Sequence, residues 1–109
     1  MIYLASPYSH PDPEVRHHRY AVASAHTAKR LKQKKVMFSP IVYGHHMAMI
    51  HGLPKDAAWW MDFNMSFLAV CSGIEVLTMS GWRESKGVKI EIEVATEIGL
   101  PILYTKPLE

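Results

Sequence analysis

Three observations predict an α/β fold: a Rossmann-like (flavodoxin-like) three-layer sandwich around a small parallel sheet of about four strands. Short apolar runs alternate with helical segments, the helical segments carry their own start and stop residues, and the apolar runs read as strands covered on both faces. Strands joined through helices imply parallel pairing with right-handed crossovers. With 109 residues and 49% hydrophobic content, the chain is expected to form a single domain, 1–109, with its own core.

The first strand is Ile2-Tyr3-Leu4-Ala5, followed by a turn at Ser6-Pro7-Tyr8-Ser9. Asp12-Pro13-Glu14 then supplies an N-cap, a proline at the first helical position and an acidic first turn. Val15, His18, Val22, Ala25, Ala28 and Leu31 keep helical spacing after it and read as the inward face of a long amphipathic helix. Val36-Met37-Phe38-Ser39-Pro40 reads as a buried strand stopped by proline, and Ile41 to Lys55, a mixture of Gly, His, Met and Pro, as a loop with one helical turn at most. A helix is expected from Asp56 to Ser72, packing deeply through Trp60, Asn64, Phe67, Leu68 and Cys71. Ile74 to Met79 is the third strand and Ile102-Leu103-Tyr104 the fourth. Between them a helix runs from about Ser85 to Ile98, closed by Gly99-Leu100-Pro101, where the glycine supplies a left-handed cap and the proline forbids continuation.

Composition narrows the function classes. No apolar run is long enough to span a membrane and no signal-peptide pattern opens the chain, so a cytoplasmic protein is the expectation. Cys71 is the single cysteine and reads as a packing residue late in the third-strand-preceding helix. A net charge of +2 is too small to argue for nucleic acid. Lys29, Arg30, Lys32, Lys34 and Lys35 crowd together at the carboxyl end of a helix, where cations complement the macrodipole and face solvent. No Gly-rich dinucleotide fingerprint or Walker sequence occurs, so no nucleotide cofactor is expected. His45, His46 and His51 have poor spacing for a metal, and none is expected. His10, His17, His18 and His26 read as polar positions of the first loop and helix.

In open sheets of this kind ligands bind outside the carboxyl ends of the strands. Those ends are Ser6-Pro7-Tyr8, Ser39-Pro40 and Ser80-Gly81-Trp82, which together form the candidate rim. On the last helix Val88, Ile92, Ala95 and Ile98 form an apolar stripe, and Glu91 lies against it, three and four residues from Val88 and Ala95. Glu93 points elsewhere and reads as solvated. A carboxylate is almost never buried unless it is paired or used.

Ile2-Tyr3-Leu4-Ala5-Ser6-Pro7, Trp60-Met61-Asp62, and Gly81-Trp82 through Ser85-x-Gly87 to Glu91, closing in Ala95 and Gly99-Leu100-Pro101, resemble the nucleoside 2-deoxyribosyltransferase-like superfamily, and within it a branch of small bacterial and phage domains of unknown function. The resemblance covers nearly the whole chain. It implies a nucleoside or nucleotide 2-deoxyribosyltransferase or N-glycosidase, with Glu91 as the nucleophile on the anomeric carbon, Tyr3 orienting that carboxylate, and Asp62 as the acid that protonates the departing base. Asn64 competes with Asp62 for the same aligned position. Such chemistry needs a carboxylate on one side of the sugar and a proton donor near the leaving group. Glu91 must be ionised to attack, whereas the acid needs a pKa raised by desolvation, for Asp62 among Trp59, Trp60 and Met61.

Substrate-binding candidates are Ser6, Pro7, Tyr8, Ser80, Gly81, Trp82, Ser85 and Gly87, with Ser6, Ser80 and Ser85 offering hydroxyls to a 5′-phosphate. The chain departs from the family pattern at Ser72 and Glu84, where family members often carry an acidic residue and an Asp. The partner implied is a small-molecule nucleoside or nucleotide. The aromatic and methionine content between Tyr43 and Met65 points to a homo-oligomer, a dimer or tetramer. The alternative reading is a non-catalytic nucleotide- or nucleobase-binding or interaction module, because a fold does not certify chemistry.

Overall fold

Residues 1–107 are described by the computed structural model, so the last two residues of the predicted domain lie outside it. The elements run β1 (Ile2–Ala5), α1 (Pro13–Lys32), β2 (Met37–Phe38), α2 (Pro40–His51), α3 (Ala57–Ala69), β3 (Gly73–Leu77), α4 (Lys86–Glu97) and β4 (Ile102–Thr105). All strand pairs are parallel, in the order β2-β1-β3-β4, with Tyr3 opposite Ile74 and Ile74 opposite Ile102. The predicted α/β sandwich and its four-stranded parallel sheet are therefore the architecture observed. The chain leaves β1 toward one edge and returns through β3 toward the other, so the junction of β1 and β3 is the switch point at which such sheets open a crevice.

Strand alternation divides the core into two layers. Tyr3, Ala5, Ile74 and Val76 project to one face and pack with Leu68 of α3, Val88 and Ala95 of α4, and Cys71. Leu4 and Leu77 project to the other, against Ala23 of α1, with Met37 and Met79 completing that layer. α1 starts as expected, on an Asp12 side chain that accepts from the Glu14 amide.

Several expectations are corrected. Ile41 to Lys55 is mostly helix, not loop: the Ser39 hydroxyl accepts from the Val42 amide, Pro40 takes a first-turn position, and Gly52 ends α2 in the left-handed conformation at φ 68°. β2 is only two residues long, and Val36 is exposed. The inward face of α1 is turned from the predicted one, since Ala23, His26 and Thr27 are buried while His18, Ala25, Ala28 and Leu31 are exposed. The cause is that β3 carries a glutamate inward at position 75, and α1 meets it with His26 and Arg30 rather than with aliphatic side chains. His26 is thus no surface position, and Arg30 leaves the solvated basic cluster to reach Glu75 at 3.0 Å. α3 is shallower than expected: of its side chains only Leu68 is fully buried, with Trp59 and Phe63 exposed. Cys71 lies beyond the end of α3 and is buried there. Ile98 caps α4 in solvent, and Leu100 packs on the core in its place.

Candidate functional site

Glu91 sits in the middle of α4, a helix capped by the Ser85 hydroxyl on the Val88 amide. Its helical phase turns it toward the sheet, where it is 6% exposed, while Glu93 is in solvent as predicted. The Tyr3 hydroxyl, on a fully buried β1 side chain, donates to Glu91 Oε2 across 88 residues of sequence. No cation reaches this carboxyl among the described residues. Burial pushes the Glu91 pKa up to about 8, and the tyrosine hydrogen bond offsets only part of that rise. Tyr3 is itself raised, by burial first and then by the adjacent carboxylate, so it keeps its proton and remains a donor.

Glu91 forms part of the wall of a cavity of about 310 Å³. The segment after β1 contributes Ser6, Tyr8 and Ser9, and the start of α4 contributes Glu84, Ser85, Lys86 and Gly87. Two helices close the remaining sides with the same pattern: Ile41, Gly44, His45 and Ala48 from α2, and Ala57, Trp60, Met61 and Asn64 from α3. In each the spacing i, i+3, i+4, i+7 marks a single helical face. Lys55, in the α2–α3 connection, brings a second ammonium alongside Lys86. The cavity therefore lies beyond the carboxyl ends of β1 and β2 and against the start of α4, the helix that follows β3.

Two polar features inside it lack protein partners among the described residues. Ser6 is 5% exposed, and its hydroxyl makes no hydrogen bond among the described residues. Such a group is costly unless a ligand or water satisfies it. At the start of α4 the Ser85 side chain serves only the Val88 amide, which leaves the first-turn amides of Lys86 and Gly87 for an anion. A Cβ placed on Gly87 would meet nothing nearer than the Ser85 hydroxyl at 3.9 Å, so that side of the helix end is open.

Opposite, the Tyr8 hydroxyl and His45 Nδ1 are 2.7 Å apart, and the His45 ring stacks on Tyr20 with centroids 4.2 Å apart. Burial lowers the His45 pKa, helped by the nearby His17, Arg16, Lys55 and His46. Burial likewise raises that of Tyr8, and the nearby Arg16 only partly opposes it.

Of the residues expected at the site, the structure brings together Glu91, Tyr3, Ser6, Tyr8, Ser85 and Gly87. Pro7 is buried behind the turn and does not face the cavity. Asp62 is exposed and absent from the cavity wall, so it is not the desolvated acid anticipated; the α3 turn brings Asn64 to the wall instead. Ser80 and Trp82 line a separate, shallow depression with Thr78, Arg83, Tyr104, Lys106 and Pro107. Gly81 lies between them at φ 92°, a left-handed turn that a side-chain-bearing residue would adopt only under strain.

The domain of unknown function designated DUF1937 matches residues 1–106, virtually the whole of the fold just described. The chain belongs to the DUF1937 family. No curated protein matches it. In this DUF1937 domain the cavity residues not anticipated at the site include Ile41, Gly44, His45, Ala48, Lys55, Ala57 and Lys86. The signals for those on α2 were the Ser39-Pro40 start, the Gly52 stop and the repeated helical face between them.

The described residues contain no group of three metal-ligating side chains. No helix among them is long and apolar enough to cross a membrane.

Proposed function

We propose that the cavity binds a 2′-deoxynucleoside 5′-monophosphate and that Glu91 cleaves its N-glycosidic bond. The observation that carries this reading is a buried carboxyl, hydrogen-bonded by Tyr3 and without a cation among the described residues, on the wall of a cavity that also offers an unpartnered serine and first-turn helix amides. The phosphate belongs at the Ser6 hydroxyl and the Lys86 and Gly87 amides, with the Lys86 and Lys55 ammonium groups adding charge. The base belongs against the apolar surfaces of Ile41, Ala48, Trp60 and Met61. In the first step a Glu91 oxygen bonds to C1′ as the C1′–N bond breaks and its electrons leave with the base. In the second, water or another base attacks C1′ and releases the carboxylate. Only ionised Glu91 can attack, so base release is expected to rise with pH toward a limb near 8, set by the buried carboxyl.

Asn64 on the wall where an acid was anticipated favours a second reading, nucleotide binding without turnover. Chromatography separates the two: wild-type protein and Glu91→Gln are incubated with deoxynucleosides and deoxynucleoside monophosphates, with and without a second free base. Release or exchange by the wild type alone supports the enzyme. Silence across the panel with retained binding supports the module.

Self-association is part of the same reading. Tyr43, Met49, Ile50, Trp59 and Phe63 are exposed on α2 and α3, the two helices that wall the cavity, and a second copy covering them would remove that apolar surface from water.

A further inference from the structure

The first step sends negative charge onto the departing base, and the only carboxyl groups on the cavity wall are Glu84 and Glu91 among the described residues. Glu91 is committed to the sugar, and Glu84 belongs to the turn before α4, beside the proposed phosphate site. Asn64 is neutral. Of the wall residues with a ring N–H, Trp60 already donates its own to the Pro54 carbonyl, and His45 is the one held on two sides, by Tyr8 and Tyr20.

That cluster fixes the imidazole in three ways. Tyr20 stacks on its face, with the ring planes 23° apart. Tyr8 holds Nδ1 at 2.7 Å. Its position on α2, one turn after Ile41, sets it on the same face as the apolar surface proposed for the base. The phenol at 2.7 Å can donate to Nδ1, and in that tautomer the ring proton resides on Nε2. Nε2 has no hydrogen-bond partner among the described residues.

We propose that His45 is the base-contacting residue of this site, its Nε2–H donating to a ring nitrogen or carbonyl oxygen of the nucleobase. The bond strengthens as C1′–N cleavage delivers electrons to the base, and the base then takes its proton from water. This inference rests on the nucleotide reading of the cavity. Tyr8 is the positioning residue for His45, since its hydroxyl holds Nδ1 and leaves Nε2 for the base. The arrangement places recognition of the base on α2 and attack on the sugar on α4.

The test is calorimetric titration of the Glu91→Gln protein with a deoxynucleoside monophosphate and, separately, with 2-deoxyribose 5-phosphate, which has the sugar and phosphate but no base. Adding His45→Phe keeps an aromatic ring on Tyr20 while removing both nitrogens. It is expected to weaken nucleotide binding about tenfold, the scale of one lost hydrogen bond in a dry site, and to leave the sugar phosphate unchanged. His45→Gln, which retains an N–H, should recover part of the loss. Equal weakening of both ligands would mean that His45 merely supports the cavity, and unchanged nucleotide binding would remove it from the site; either result overturns the proposal while the nucleotide reading stands. If the Glu91→Gln protein binds neither ligand, the nucleotide reading falls and this inference with it.

Discussion

Glu75 and Glu91 are buried to nearly the same degree, 4% and 6% exposed, on opposite faces of one sheet, yet their surroundings differ in kind. Glu75 on β3 is met by His26 Nε2 and by Arg30, whose Nη2 lies 3.0 Å away. Burial would raise its pKa, but the hydrogen bonds from Arg30 and His26 outweigh that and hold it below the ordinary carboxylate value. Glu91 on α4 has a phenol as its sole protein partner among the described residues and an empty volume beside it, and burial raises it to about 8. The first carboxylate is neutralised by the fold. The second has no charge partner among the described residues, the contrast on which the proposed role of Glu91 rests.

The largest effect that would break this contrast concerns turnover. Glu91→Gln is expected to lower base release by about a thousandfold or more, with the fold intact by circular dichroism, because a carboxamide cannot form the sugar ester. Glu75→Gln should leave the chemistry within a few fold. Turnover retained by Glu91→Gln, or abolished in a folded Glu75→Gln protein, would reverse the assignment.

Stability should respond the other way round. Glu75→Ala strands Arg30 and His26 and is expected to cost about 3 kcal/mol in denaturant unfolding. The pH signatures are opposite in sign. The folded pKa of Glu75 is depressed, so its contribution is whole above the ordinary value of 4.5 and is lost as pH falls. That of Glu91 is raised, so its contribution is whole below 4.5 and is lost as pH rises through about 8. Glu91→Gln should therefore match the wild-type Tm at pH 4 and exceed it at pH 9; a matched Tm at both pH values would show that Glu91 is not held protonated by burial.

A smaller effect sharpens the picture of the Tyr3–Glu91 pair. The tyrosine hydrogen bond lowers the Glu91 pKa, so Tyr3→Phe should move the rising limb of the pH–rate profile to higher pH while leaving the rate above that limb reduced only modestly. An unmoved limb would mean that the profile reports another group. Smallest in expected effect, Phe63→Glu on the exposed α3 surface should shift light-scattering mass toward the monomer at micromolar concentration. A wild-type protein already monomeric there would remove self-association from the account.

Local rules made most of the fold legible. The Ser85 start and the Gly99 cap bracket α4, and the continuous apolar runs at Ile2 and Ile74 mark the central strands. They failed where burial was bought with polar groups. α1 keeps its period but not its predicted phase, because its inward side carries His26 and Arg30 to meet Glu75 on β3. α2 was obscured by its Gly, His and Met content, although Ser39, Pro40 and Gly52 delimit it.

The candidate site was half legible for related reasons. Helical phase alone turned Glu91 inward. Its pairing with Tyr3 is a contact between distant residues that the resemblance supplied and spacing did not. The serines at Ser6 and Ser85 followed from strand and helix ends. Trp82 and Ser80 did not, because the positive φ of Gly81 turns the chain toward a separate depression, and no local pattern announces that turn. Choosing between Asp62 and Asn64 required the orientation of α3, a two-residue difference that places one side chain in solvent and the other on the cavity wall.

The central claim is that Glu91 forms a covalent bond to the sugar. It is tested most directly by incubating the protein with a 2-fluoro-2-deoxy nucleotide, whose slowed second step accumulates the intermediate, and locating the adduct by peptide mass spectrometry. The account predicts a mass increase on the peptide containing Glu91, absent in Glu91→Gln. An adduct on any other residue, or base release from this analogue with no adduct at all, would contradict it.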